Sequence, residues 1–191
     1  MGMLIVGLIL FLGAHSTRIV AEGWRSTIIR RLGAKTWKAA YSLVSLLGLV
    51  LVIWGFGQVR QQPVQLWPAP FFMRHVAWVL TAVAFILLAA AYVPRNRIKA
   101  RLHHPMALGV VFWAAAHLLA NGNLGHVVLF GSFLVWAVLS FFAGRTRDRM
   151  SRTLYPAGKV SGTVITVLAG LAAWAVFAFW AHGLLIDIRP V

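Results

Sequence analysis

The stretch "HHPMALGVVFWAAAHLLANG", residues 103–122, decides how the rest of the chain is read. From Met106 to Ala120 it is apolar except at one position, His117. One such run is an ordinary buried helix, but a series of them points to lipid, because a membrane helix needs about 20 mainly apolar residues. The run does recur. Segments 3–20, 38–57, 75–93, 106–120, 124–143 and 160–186 are all apolar and of spanning or near-spanning length. Pro94 closes the third and Pro105 opens the fourth, as proline does at helix boundaries. The "NGNLG" turn after Ala120 joins the fourth and fifth into a helical hairpin. The reading is an all-α, polytopic membrane bundle of six helices, forming one domain over residues 1–191.

Composition agrees. Of the 191 residues, 61% are hydrophobic and 11% charged, against roughly a quarter charged in a typical soluble domain. The net charge of +15 would suggest nucleic acid if it formed a face or stripe. Instead the bases gather in the connections at 18–38, 95–101 and 145–159, with long uncharged runs between them. Nucleic-acid binding is excluded on that layout. The connections after helices one, three and five hold fifteen of the eighteen Lys and Arg, leaving Arg60, Arg74 and Arg189 for the other side. Lys and Arg collect on the cytoplasmic side, so both termini are expected outside and the basic connections inside, in a bacterial inner membrane. The first apolar run has its bases after it rather than before it, which reads as an uncleaved helix and not a signal peptide. Residues 22–36, "EGWRSTIIRRLGAKT", read equally as a basic amphipathic helix on the membrane surface or as a solvated loop. Trp24, Trp37, Trp67 and Tyr155 fall near the expected boundaries, where amphipathic rings settle. Ser42, Ser45 and Gly48, with Gly7, Gly13, Gly131 and Ser132, are small residues suited to close helix packing.

The absence of cysteine removes disulfides, thiolate catalysis and Cys-ligated metal. The only acids are Glu22, Asp148 and Asp187, all outside the apolar runs, so carboxylate acid–base chemistry is not expected. The reactive set is therefore the seven histidines. His103, His104, His126 and His182 fall near helix ends and reach interface water. His15, His75 and His117 lie deeper, where an ionisable residue must face the bundle and find a partner. His117 is twelve residues past Pro105 and His15 twelve past Met3, in helices of opposite direction. At 1.5 Å per residue both lie about 18 Å along their helices, which puts them within about 6 Å in depth across a 30 Å core. They can face one ligand between the first and fourth helices, with Phe11, Trp113 and Ala114 as walls. Two neutral imidazoles without acids suit haem iron and suit magnesium or calcium poorly. His75 is the rival ligand from the outer end. The alternative is a histidine that only hydrogen-bonds a neighbouring helix.

The motifs "LFLGAHS" (10–16), "YSLVSLLGLVLVIWGFG" (41–57), "RH" (74–75), "AYVPRNRIKARLHHPMALGV" (91–110), "AHLLANG" (116–122) and "VLFGSF" (128–133) together resemble the NnrU family of bacterial membrane proteins, over nearly the whole chain. The resemblance implies a link to denitrification and nitric oxide metabolism. It is also similar to the plant 15-cis-zeta-carotene isomerase, which implies haem b held by two histidines and a haem-dependent cis–trans isomerisation. Matched by motif, those axial ligands fall on His15 and His117. Arg18, one turn after His15, is expected to meet a haem propionate or, with Arg95 and Arg97, anionic lipid headgroups. The implied ligands are a hydrophobic polyene or a nitric oxide-related molecule. The competing expectation is a haem-free membrane scaffold or regulatory component whose histidines serve packing alone. A transporter is disfavoured, since broken helices and intramembrane charges are absent from the sequence.

Overall fold

The computed structural model describes residues 1–186; Asp187 and Arg189, counted above, lie outside them. Among the described residues the chain is helical: α1 (Gly2–Val20), α2 (Glu22–Leu32), α3 (Ala34–Gln61), α4 (Met73–Tyr92), α5 (Arg97–Leu102), α6 (Pro105–Ala120), α7 (Leu124–Ser151), α8 (Val160–Val176), a π-helical turn (Phe177–Ala181) and α9 (His182–Ile186). Five spans are long and apolar enough to cross a membrane: α1, α3, α4, α7 and the continuous run Val160–Ile186. The sixteen-residue α6 is the short one. Each expected apolar segment thus sits in a helix. The surplus length lies at the ends: α3 begins at Ala34 and α7 continues to Ser151. Their added residues include good helix formers such as Lys and Arg and no Pro, and the helix runs through the single glycine of the α7 extension, Gly144. Residues 22–32 settle as a helix, isolated by single-residue breaks at Ala21 and at Gly33, whose φ of 85° suits glycine.

The helices pack as a sequence of neighbours: α3 on α1, α1 on α7, α7 on α6, α6 on α4, and α4 on α8. The expected α6–α7 hairpin is present. All three basic connections meet at one end of this bundle. There Arg147 donates to the Arg18 carbonyl (2.8 Å), the Lys159 amide to the Arg95 carbonyl (2.6 Å), and His104 to Asp148 (2.8 Å). At the opposite end the 62–72 segment lies on the α6–α7 turn, with the Leu66 amide donating to Gly122 O and the Leu124 amide to Val64 O, both at 2.8 Å.

The core is thin. Leu4, Leu8, Val52, Ala114, Leu129 and Phe130 form the buried cluster, while Leu43, Ile53, Val79 and Leu168 are among many large apolar side chains left exposed. That is the pattern of a bundle solvated by lipid. Acyl chains are as apolar as leucine, so packing depends on close van der Waals approach between small residues. The α1–α3 contact has this character. A Cβ on Gly7 would stand 2.6 Å from the Val52 amide nitrogen, and one on Gly48 would stand 2.6 Å from that of Phe11. Both obstacles are backbone and cannot swing away. Gly13 and Gly131, grouped with them in the sequence, meet nothing within 4 Å.

Gly48→Leu therefore forces α1 and α3 apart, and overpacking of this kind costs about 1–3 kcal/mol or more. Thermal unfolding in detergent should show a clear drop for Gly48→Leu. Gly131→Leu, the same change on an open surface, should leave the midpoint near that of the wild type.

Candidate functional site

His15 stands in the fourth turn of α1. Its Nδ1 donates to the Phe11 carbonyl one turn back at 2.7 Å. The ring lies 4.3 Å from that of Phe11, 5.2 Å from Tyr41 on α3 and 6.0 Å from Trp136 on α7, the last edge-on. The Trp136 indole nitrogen is buried without a hydrogen-bond partner, as is Ser45 Oγ, one turn beyond Tyr41. His15 also lines a cavity of about 270 Å3 in the angle between α1, α2 and α3, together with Arg18, Arg25, Trp37, Lys38 and Tyr41. His15 and Arg18, paired by spacing in the sequence, do share one cavity.

His117 repeats the arrangement on α6. Its Nδ1 donates to the Trp113 carbonyl at 2.8 Å, and Asn121 Nδ2 donates to the His117 carbonyl at 2.9 Å. Its ring stacks on Phe130 of α7 at 4.3 Å and 20°. His126 reaches the other end of this group, 5.9 Å from Phe130 and 5.2 Å from Phe56. Sequence position alone put His126 at the interface, but Phe130 makes it a neighbour of His117. His75 differs: it is exposed at the start of α4, against Phe71 (5.8 Å) and Trp78 (6.4 Å).

The two deep imidazoles have the donor chemistry that haem iron uses. A metal-bound histidine usually spends its other nitrogen on a carbonyl or carboxylate, which fixes tautomer and ring orientation. Both Nδ1 atoms are spent in this way, and neither Nε2 has a hydrogen-bond partner among the described residues. The space between them is another matter. Phe11 touches Phe133 (5.8 Å), Phe133 touches Trp113 (5.5 Å) and Trp113 touches His117 (5.2 Å), so an unbroken series of rings joins the two sites. A macrocycle gripped by both imidazoles requires the Trp113 and Phe133 rings to turn aside. Among the described residues no group of three His or acidic side chains is placed to hold a bare metal ion.

A polar corner at the basic end escaped the sequence reading. Asp148 Oδ2 accepts from His104 Nε2 (2.8 Å) and from the Tyr155 hydroxyl (2.9 Å). His103 lies flat on the Tyr155 ring, 4.1 Å away at 8°, and Arg145 Nη1 lies 3.5 Å from its Nδ1. Gly144 leaves the room for the His104 ring, which an added Cβ would meet at 2.8 Å. Three segments meet here: the α5–α6 link, the end of α7 and the 152–159 connection. The α7 backbone has by then left the apolar run ending at Ala143. Burial by itself would raise the Asp148 carboxyl, yet the hydrogen bonds from Tyr155 and His104 prevail, with the neighbouring histidine charges, and hold it below the usual range. Burial pushes the Tyr155 hydroxyl up to about 12, helped by its bond to Asp148. The only sequence signal was "HH" beside proline, and nothing linked it to an aspartate forty-four residues on.

The five long apolar helices, in a chain that is helical over its described residues, define a polytopic helical membrane protein. The model of the family described as NnrU protein matches residues 3–190, so the chain belongs to the NnrU family. No curated protein and no solved structure matches it.

Tyr155→Phe keeps the stack on His103 and removes one donor to Asp148, an expected loss of about 1 kcal/mol in detergent unfolding. The sign with pH follows from the lowered Asp148 carboxyl. Its stabilisation is fully present above the unfolded carboxylate range and is lost as pH falls through the folded value. Asp148→Asn should therefore flatten the acid limb of the stability profile and leave the pH 7 to 8 region displaced but parallel. An unchanged acid limb would show that the corner does not hold the connections together.

Proposed function

We propose that this NnrU-family protein is an integral membrane haem b protein of the bacterial inner membrane, in which His15 and His117 would hold the iron and Arg18 would meet a propionate. The single observation that carries the reading is the matched anchoring of two intramembrane imidazoles, each tied through Nδ1 to its own helix and each with Nε2 free for a metal. Haem b, held by these two histidines, would supply redox chemistry and a site for small ligands such as nitric oxide. The chain's own contribution would be to fix the tautomer of both histidines, to line the site with the Phe11 and Phe130 rings, and to bring Arg18 to the cavity that His15 lines. The family resemblance directs the chemistry towards nitric oxide and denitrification or towards a haem-dependent isomerisation of a hydrophobic polyene.

The same ring series favours a second reading, a haem-free scaffold or regulatory component, because aromatic packing already fills the gap between the imidazoles. Absorption spectra of protein purified in mild detergent separate the two. The haem reading expects a reversible redox spectrum of six-coordinate, low-spin iron. His15→Ala and His117→Ala should each lower haem content or give five-coordinate, high-spin iron, with no thiolate available to substitute. His103→Ala should be silent. Loss of the low-spin spectrum in His126→Ala, with His15→Ala unaffected, would move the second ligand to His126. A colourless wild-type protein from cells supplied with haem sinks the reading altogether.

We infer further that the basic end faces the cytoplasm, since fifteen of eighteen bases collect there. Reporters inserted after Arg101 and after Arg149 should read as cytoplasmic, and one within residues 62–72 as external. The reverse pattern would invert the orientation.

A further inference from the structure

Of the fifteen bases at the basic end, few have an acidic partner, because Glu22 and Asp148 are the only described carboxylates. The anions that neutralise this end must largely come from outside the chain, and one place is shaped to receive one. The cavity between α1, α2 and α3 carries Arg18, Arg25 and Lys38 around a floor that includes His15 and Tyr41, with Trp37 at its side. Arg25 is engaged: its Nη1 meets Glu22 at 2.8 Å and its guanidinium lies 5.9 Å from the centre of the Trp37 ring. Arg18 reaches Glu22 only through Nε at 3.5 Å, so its two terminal nitrogens remain to donate. Lys38 has no ion pair or hydrogen bond among the described residues. One carboxylate against three cations leaves a net positive concavity of about 270 Å3. That falls short of the ~300–1,000 Å3 typical of sites for drug-sized ligands, and is the scale of a headgroup rather than of a whole cofactor.

We propose that this cavity is a binding site for the phosphate headgroup of an anionic glycerophospholipid, held by Arg18 and Lys38. Three features select a lipid over a free anion. The cavity lies at the end of the spanning helices, the depth at which headgroups sit. Its aromatic members Trp37 and Tyr41 are the residue types that settle at that level. Apolar surface continues from it into the membrane, with Val44, exposed on α3, following Tyr41 along the helix. α2 forms one wall and has no buried residue of its own, so it is held by its contacts with α1 and α3 and, in this proposal, by the lipid. Arg30 and Arg31, at the exposed end of α2, do not line the cavity. The proposal does not depend on haem; it is made for the haem-free protein, in which no propionate takes up Arg18.

The test is native mass spectrometry of the full chain in detergent, titrated with phosphatidylglycerol or phosphatidylcholine. One phosphatidylglycerol should be retained in preference to phosphatidylcholine. Arg18→Gln combined with Lys38→Gln should weaken that first binding event by about thirtyfold, from the usual contribution of two basic residues at an anionic surface. Arg18→Lys with Lys38→Arg should restore it, and Arg30→Gln with Arg31→Gln should leave it unchanged. Ala34→Leu, which fills the cavity without touching charge, should also weaken it, and this variant stands in if the charge pair fails to fold. Equal weakening by the cavity pair and the exposed pair would reduce the site to diffuse surface charge and overturn the proposal. So would equal retention of phosphatidylcholine, or displacement of the lipid by millimolar inorganic phosphate, which would identify a free-anion site instead.

Discussion

The contact on which the rest of the structure depends is the backbone-to-backbone approach of α1 and α3. In lipid, burying leucine gains little, which is why most of the large apolar side chains of α3 remain outside the protein. What holds two such helices together is the loss of intervening side chains, and Gly7 and Gly48 provide it on opposite partners. Gly48 lies against Phe11, and the Phe11 carbonyl is the acceptor that fixes His15. Packing, ring orientation and cavity are thus linked along one short piece of α1. The three-helix wrap around the cavity follows, because one-residue breaks at Ala21 and Gly33 leave α2 no route except against both of its neighbours.

The second constraint is electrical. With eighteen bases and three acids, ordinary ion pairing cannot satisfy the cations. The structure uses the ends of its helices instead. Arg147 donates to the Arg18 carbonyl near the end of α1, Lys99 Nζ to the Ala91 carbonyl near the end of α4, and Arg60 to the Ile186 carbonyl at the end of α9, each at 2.8 Å. The last carbonyls of a helix lack intrahelical partners and carry the negative end of its dipole, so a cation there satisfies both. These same bonds tie distant segments together, α7 to α1 and α3 to α9, which side-chain packing in lipid would do weakly. Asn96 does the equivalent job with neutral groups. Fully buried, it donates to the Ala90 and Val93 carbonyls and accepts from the Lys99 amide, closing α4 and starting α5 in one residue.

Hydropathy made the helices legible, since the apolar runs are long, few in charge and bounded by Pro94 and Pro105. Helix ends were less so, because beyond the apolar zone propensity alone decides, and Arg and Lys continue a helix without advertising it. The π-helical turn at Phe177–Ala181 had no signal in an unbroken apolar run. Of the site, depth arithmetic set His15 and His117 apart from the histidines near helix ends, and spacing placed Arg18 with His15, whose cavity it shares. It could not find what lies between the two imidazoles, since Phe133 and Trp136 come from α7, and helix neighbours are a matter of tertiary order. The Asp148 corner was missed for the same reason: its place outside the apolar runs says nothing of its partners, and the α7 extension carries it back to His104 and Tyr155.

The histidines also differ in how they are held, and that difference bears on what each is for. His104 gives Nε2 to Asp148 and has a glycine cut away to admit its ring, an arrangement that fastens three segments. His15 and His117 give Nδ1 to a carbonyl of their own helix, so these hydrogen bonds join no second segment. A histidine kept only to join helices would spend a nitrogen across the gap, where the bond contributes to association. Neither deep histidine does so, although Trp136 beside His15 has an indole nitrogen with no acceptor. Local anchoring leaves the second nitrogen of each ring without a hydrogen bond among the described residues, while the ring faces still pack across helices, His15 against Tyr41 and Trp136 and His117 against Phe130.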